Sequence, residues 1–363
     1  MAKKSILKKN SLKFFENYLN NPAPTGFESE GQKMWLDYLK PYIDGYETDN
    51  YGSVAAVINP GQKYKVAIEA HADEISWFVH YITDKGFIYL RRNGGSDHMI
   101  APSKRVIIHT DKGPVRAVFG WPAIHTRNPM LGKEEAPSMK NIFLDCGCSS
   151  KEEVEELGVH VGCVATFEDE YMTLNDYFVG RALDNRAGGF MIAEVARLLK
   201  ENKKELPFTL YVVNAVQEEV GLRGAEMISR TLEPDLAIVT DVCHDTQTPM
   251  IDKIEQGDYH SGKGPVVTYG PAVHNNLLKR IIETAEKKKI PFQRAAASRS
   301  TGTDTDAFAY SGKGVPSALI SLPLRYMHTT VEMTHRDDLE NVIRLIYETL
   351  LSIKSGESFK YFD

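Results

Sequence analysis

Apolar, β-branched runs alternate with amphipathic helical stretches in the first and last parts of the chain but not between them. This pattern predicts an α/β fold, a mixed central sheet flanked by helices, with a small β-barrel inserted after the early strands. Three observations carry it. Runs such as Phe208-Thr-Leu-Tyr-Val-Val-Asn-Ala-Val216 and Ser317-Ala-Leu-Ile-Ser-Leu322 are short, apolar and rich in branched side chains, as strands covered on both faces require. Longer amphipathic stretches, such as 275–288 and 335–354, supply helices to cover them. From 76 to 167 no helical period is sustained, and short strands punctuated by turn residues predict a barrel or sandwich. The expected domains are therefore a discontinuous one, 1–75 with 168–363, and an insert, 76–167.

Taken in order, Ser11 reads as the N-cap of a helix over 11–19, which Asn21-Pro-Ala-Pro-Thr-Gly26 breaks. A second amphipathic helix covers 28–39 and stops at Pro41. Strands at 53–58 and 65–70 follow, joined through the turn signal Asn59-Pro-Gly61. In the insert, Trp77-Phe-Val-His-Tyr81, Gly86-Phe-Ile-Tyr-Leu90, Arg105-Val-Ile-Ile-His109 and Val115-Arg-Ala-Val-Phe119 read as strands. Lys151-Glu-Glu-Val-Glu-Glu156 reads as a short solvated helix.

Gly180-Arg-Ala-Leu-Asp184-Asn-Arg186 then leads into a helix over 187–199. Gly188 and Gly189 in its first turn give up helix propensity for close backbone approach. A strand ending at Glu219, a helix near Gly224-Ala-Glu-Met-Ile228 and a strand ending at Asp241 come next. They are followed by a strand at 265–268, a helix over 275–288 and an extended stretch at 291–294. A short helix opened by Thr303-Asp-Thr-Asp-Ala-Phe308, the strand to Leu322 and the long last helix complete the chain.

At 363 residues, two domains are the natural expectation. A net charge of −6 favours neither nucleic acid nor an anionic membrane as a partner. The start, Met1-Ala-Lys-Lys-Ser-Ile-Leu-Lys-Lys9, is basic without the apolar core of a signal peptide, and no segment approaches the roughly 20 apolar residues of a membrane span. Four cysteines do not make a disulfide framework in so long a chain. Cys146 and Cys148 read as buried thiols, and the protein as cytoplasmic. His80, His98, His109, His125 and His160 fit no ligand spacing and read as surface or structural.

Function is concentrated at strand ends. The run to Val216 leads into Gln217-Glu218-Glu219-Val220-Gly221, and Lys65-Val-Ala-Ile-Glu-Ala70 into His71-Ala-Asp73-Glu74. Asp235-Leu-Ala-Ile-Val-Thr240 leads into Asp241, and the run to Leu322 into Arg325-Tyr-Met-His328. Open α/β sheets bind ligands beyond the carboxyl ends of their strands. Strand alternation would point Glu218 and Glu219 to opposite sides. Alone, each has a plain reading: a strand-terminal Asp caps, and a lone His is structural. Together, His71, Asp184, Glu219, Asp241 and His328 form an oxygen-and-imidazole set suited to zinc, cobalt or manganese.

If Asp184 bridges, His71, Asp184 and Asp241 hold one ion, and Asp184, Glu219 and His328 the other. Two divalent ions against three carboxylates and a bridging hydroxide leave no net charge, which a dry crevice tolerates best. Water between two cations ionises near neutral pH. Glu218 is then left as general base, and Asp73 is placed to orient the His71 imidazole.

These motifs, His71-Ala-Asp73-Glu74-Ile75, Arg181-Ala-Leu-Asp184-Asn-Arg186, Gln217-Glu218-Glu219-Val220-Gly221, Thr240-Asp241 and Arg325-Tyr-Met-His328-Thr329, closely resemble those of the tetrahedral (TET) aminopeptidases. That group includes glutamyl and deblocking aminopeptidases, and its members are often called endoglucanase or cellulase M. The resemblance spans nearly the whole chain in the family's order. It implies a zinc-peptidase-like fold with a barrel or PDZ-like insert used in assembly. It also implies two metal ions on the residues named, a bridging hydroxide attacking the peptide carbonyl with Glu218 as base, and short peptides as substrates. Self-assembly into a hollow dodecamer built from dimers is implied as well.

The chain departs from the pattern at Ser76-Trp77, where relatives commonly have glycine and a bulky apolar residue, and at Asp306, where they tend to have a small one. If Asp306 lines the pocket for the first residue, basic N-termini are favoured. Two rival functions share the cleft. A glycan hydrolase needs two carboxylates across a sugar ring and has no use for strand-end histidines. A carboxypeptidase or other dinuclear amidohydrolase would not require a free α-amine.

Overall fold

Strands apolar on both faces must be sandwiched between helices, and the chain meets this with one large sheet. The computed structural model describes residues 5–127 and 136–362; the basic start Met1-Ala-Lys-Lys4 lies outside the described residues. Two units are each compact: one comprises the chain to Glu74, Tyr171–Met327 and the chain from Val331; the other comprises Ile75–Glu170 with His328–Thr330.

The first unit opens with α1 (Lys9–Asn20), α2 (Ser29–Leu39), β1 (Gly45–Thr48), β2 (Val54–Ile58) and β3 (Lys65–His71). The second contains β4 (Ser76–Ile82), β5 (Ile88–Asn93), β6 (Arg105–Thr110), β7 (Gly113–Gly120), β8 (Phe143–Asp145), α3 (Lys151–Glu156) and β9 (Val164–Phe167). The first resumes with β10 (Met172–Leu174), β11 (Tyr177–Gly180), α4 (Leu183–Glu201), β12 (Thr209–Ala215), α5 (Arg223–Leu232) and β13 (Leu236–His244). It ends with α6 (Lys253–Gln256), β14 (Val266–Tyr269), α7 (Asn275–Lys288), β15 (Gln293–Ala296), α8 (Thr305–Ala309), β16 (Ser317–Leu324), β17 (Glu332–His335) and α9 (Arg336–Ser352).

The eight-stranded sheet runs β1-β2-β12-β3-β13-β16-β14-β15, and its middle strands β12, β3, β13 and β16 are mutually parallel. The registers Ala215↔His71 and Asp241↔Ser321 bring their carboxyl ends to one edge. The strands on either side of Asn59-Pro-Gly61 do not pair with each other, because β12 lies between them. A three-stranded sheet, β10-β11-β17, was not visible in the sequence: its strands are short and the first is exposed. The second unit is a closed barrel, β4-β5-β8-β7-β6-β9, around a core of its own that includes Trp77, Ile108, Phe119 and Leu144.

α4 is buried along nearly its whole length. Its glycines are needed for contact: a Cβ on Gly189 would lie 2.8 Å from Asn214 Oδ1, and Trp35 Nε1 donates to the Gly189 carbonyl at 2.8 Å. Phe190 packs on Phe15 with ring centroids 4.5 Å apart.

Three local expectations need correction. Ser11 is not a cap: α1 starts at Lys9 after Lys8, and Ser11 is buried as a hydrogen-bond partner of Tyr38 Oη at 3.1 Å. α3 is not wholly solvated, since Val154 is buried in the barrel core. Cys146 and Cys148 are only half-buried, with sulfurs 3.7 Å apart. Truncating Phe190 to alanine should cost about 3–5 kcal/mol, the usual range for emptying a packed aromatic site; chemical denaturation measures this.

Candidate metal centre

Each functional side chain is delivered by an element whose end is fixed independently. His71 closes β3 and is 1% exposed. Its Nε2 lies 3.2 Å from Asp184 Oδ1 and 3.8 Å from Asp241 Oδ1, and its Nδ1 lies 3.3 Å from Asp73 Oδ1. Asp241 belongs to β13, and its Oδ1 also accepts the Val242 N–H at 2.8 Å. Asp184 stands at the irregular start of α4, where the Asp184–Asn185 peptide is cis and both residues depart from helical angles. Its N–H donates to Glu332 Oε2 at 3.0 Å, and Asn185 Nδ2 donates to the Thr240 carbonyl at 2.8 Å, so that start is tied to β17 and β13.

Glu218 and Glu219 are not on a strand. β12 ends at Ala215, Gln217 takes a left-handed φ of 58°, and the two acids form a 3₁₀ turn, Glu218–Val220. Turn geometry, not strand alternation, therefore separates them. Asp73 holds this turn: Oδ1 accepts the Glu218 N–H at 3.0 Å, and Oδ2 accepts the Glu219 N–H at 3.2 Å and the Thr25 hydroxyl at 2.9 Å. Glu28 Oε1 accepts the N–H groups of Gly26 at 2.7 Å and Gln217 at 3.2 Å.

His71, Asp184 and Asp241 offer donor atoms all within 4.8 Å of one another, and so do Asp184, Glu219 and His328. Asp184 is common to both groups. A tetrahedral zinc ion with ligands at about 2.0–2.1 Å spaces its donors by about 3.3 Å, so the separations around His71 need little adjustment. The donors are nitrogen and oxygen with no thiolate, as zinc, cobalt or manganese accept.

The electrostatics point the same way. Burial first, then the Asp304, Asp184 and Glu219 carboxylates, push Glu218 up to about 9 despite the opposing His71. Burial, then Asp184 and Glu218, raise Asp241 well above the usual carboxylate range. Burial alone would lower His71, but Glu218, Asp184, Asp73 and Asp241 outweigh it and raise it. Acids this crowded hold protons unless cations replace them.

Several contributors were not read from the sequence. Thr25, Glu28 and Glu332 act from loops and an edge strand and follow no pattern. Glu69 is buried inside β3, where burial pushes it up to about 8; burial and the Glu69 carboxylate raise Asp304. An acid inside the apolar run Lys65-Val-Ala-Ile-Glu-Ala70 was the available signal for Glu69. Asp306 has local work, since its carboxylate accepts the N–H groups of Thr301 at 3.0 Å and Gly302 at 3.2 Å. Of the barrel histidines, His109 Nε2 contacts Thr166 Oγ1 at 2.9 Å, and none joins either donor group.

An α/β sheet with such donors gathered beyond its strand ends suits a metal-dependent enzyme. The family model for M42 glutamyl aminopeptidases matches residues 52–345, and the chain belongs to that family. It is 32% identical to the lysyl aminopeptidase of Pyrococcus furiosus over 338 residues, 93% of this chain and 95% of that one. Among solved structures, the TET aminopeptidase of a marine-sediment Thaumarchaeota archaeon superposes with a TM-score of 0.91 at 29% identity, covering 96% of this chain and 98% of that one. The TET1 peptidase of Pyrococcus horikoshii, which can assemble into a tetrahedron or a large octahedral shell, gives 0.82 at 27% identity over 93% and 98%.

Asp73→Asn keeps size but cannot accept from both turn amides and the Thr25 hydroxyl. Activity or metal affinity should fall about 10–100-fold, as when a group orienting a metal ligand is lost; steady-state kinetics and metal titration measure it.

Proposed function

We propose that the protein is a metal-dependent aminopeptidase that removes N-terminal residues from short peptides, using two divalent ions per chain. The observation that carries this reading is the pair of donor groups sharing Asp184. His71, Asp184 and Asp241 would hold one ion, and Asp184, Glu219 and His328 the other, with zinc the first expectation and cobalt or manganese compatible. When bound, the cations supply Lewis acidity toward the peptide carbonyl and toward water.

The chain's own groups do the rest. Glu218, with Oε2 3.8 Å from His71 Nε2, stands beside the donors without belonging to either group. Its carboxylate, once deprotonated, is placed to serve as a general base. It then takes the proton of the attacking water and passes it to the departing amine. Asp73 faces His71 Nδ1, which leaves Nε2 directed at the donors, and it fixes the turn carrying Glu218 and Glu219.

Assembly from dimers into a dodecamer belongs to the same proposal. It is supported by the assembling relative and by Met250 and Ile254, apolar side chains that lie fully in solvent in a single chain. Among the described residues no helix is long and apolar enough to cross a membrane. Unpaired cysteines suit the reducing cytoplasm we infer. Preference for basic N-termini rests on Asp306 alone, and equal turnover of lysyl and leucyl anilides would remove it.

Metal analysis with assay before and after chelation tests the core of the proposal. Chelation should abolish aminopeptidase activity, whereas a glycosidase would survive it. Glu218→Gln should keep its metal and lose about 10²–10⁴ in turnover; loss of metal together with turnover in this variant, with metal retained in Glu219→Gln, would exchange the roles of Glu218 and Glu219. N-acetylated peptides should resist cleavage, and their efficient hydrolysis would favour another amidohydrolase.

A further inference from the structure

We propose that Cys146 and Cys148, in the turn between β8 and α3, are a redox modification site. They exchange with small-molecule disulfides such as oxidised glutathione to close a reversible Cys146–Cys148 disulfide. The site lies within the barrel unit alone and does not depend on the metal centre.

The backbone makes the pairing possible. Residues two apart in a fully extended chain have Cα atoms about 7 Å apart, at the upper limit of what a disulfide spans. The chain is not extended here: Gly147 takes a φ of 81°, a left-handed bend that a side chain disfavours. Its N–H donates to Asp145 Oδ1 at 2.7 Å, which fixes the bend. Gly147 is exposed, and a Cβ on it would meet nothing within 4 Å, so this side of the turn is open to a reagent. The two cysteines are half-buried against the barrel core, with their sulfurs 3.7 Å apart.

Both flanks of the turn are held. Leu144 of β8 is buried in the core. Ser150 caps α3, its Oγ accepting the Glu153 N–H at 3.2 Å, and Glu153 Oε2 accepts the Ser149 N–H at 2.7 Å. A Cβ on Gly86 would lie 2.7 Å from the Cys148 carbonyl oxygen, so bare backbone packs against the turn there. With the backbone fixed, closing the sulfurs to a bond of about 2.0 Å is left to side-chain rotation. The barrel's other cysteine, Cys163, is buried and directed at the Gly158 carbonyl at 3.9 Å.

The two thiols are not equivalent. Cys146 donates its hydrogen toward Cys148. Burial, then the Cys148 thiol, push Cys146 up to about 11, so it stays protonated at neutral pH. Cys148 is therefore the sulfur that attacks first. Its thiolate displaces one glutathione thiolate from oxidised glutathione and forms a mixed disulfide. Cys146 then gives up its proton and displaces the second glutathione from Cys148. The protein loses two hydrogens with their electrons, and one oxidised glutathione becomes two reduced ones. In the reducing cytoplasm inferred above the pair rests as the dithiol, and oxidant load closes it.

Native full-length protein is incubated with oxidised glutathione, alkylated in denaturant and digested with trypsin. Cleavage after Lys140 and Lys151 releases a fragment, 141–151, that carries both cysteines. It should be about 2 Da lighter than its reduced form, resist alkylation, and regain both reactive thiols after dithiothreitol. In Cys146→Ser the same treatment should leave glutathione attached at Cys148, since no second thiol displaces it. A wild-type fragment that stays fully open to alkylation, or that stops at the glutathione adduct, would overturn the proposal. Closure seen only when denaturant is present during oxidation would overturn it too, because the fold would then not be what pairs the sulfurs.

Discussion

Asp184, Glu218 and Asp241 crowd around the buried His71, and the neighbouring structure is arranged to keep them there. Buried carboxylates at such separations repel one another and lose their hydration; one imidazole cannot offset all of them. Proton retention eases this repulsion, in keeping with the upward shifts of Glu218, Asp241 and His71. In the proposed function, divalent ions would ease the same repulsion and supply Lewis acidity. The tension that makes the site costly to fold is also the source of its chemistry.

Holding such a cluster needs rigid supports from several directions. Four parallel strands side by side bring β3, β12, β13 and β16 to one edge, so donors far apart in sequence converge without long loops. The turn carrying Glu218 and Glu219 is steadied by acceptors, Asp73 for the Glu218 and Glu219 amides and Glu28 for the Gln217 amide. Backbone amides held by buried carboxylates are a stiff arrangement, since each acid gains charge-assisted bonds that compensate its burial.

The sequence was informative wherever chemistry and period coincide. An apolar run leading toward His71, Glu219 or Asp241 marked both a strand and a candidate ligand, although β13 continues past Asp241 to His244 and β12 stops at Ala215. The change of texture between 76 and 167 declared the insert, which closes as a barrel. It was silent on Thr25, Glu28 and Glu332, whose partners lie far along the chain or across a loop. It misled at Ser11, because a serine near a helix start can be a cap or a buried partner, and only the neighbour Tyr38 decides.

What the sequence alone determined was the central strands of the large sheet, the candidate donor chemistry and the likeness to a family, because hydrophobic period and side-chain type are local properties. Tertiary structure decided the rest. It showed that Asp184 is shared between two donor groups and that Glu218 and Glu219 ride a turn rather than a strand. Each of these depends on distances between segments remote in the chain, and a linear pattern does not encode distance.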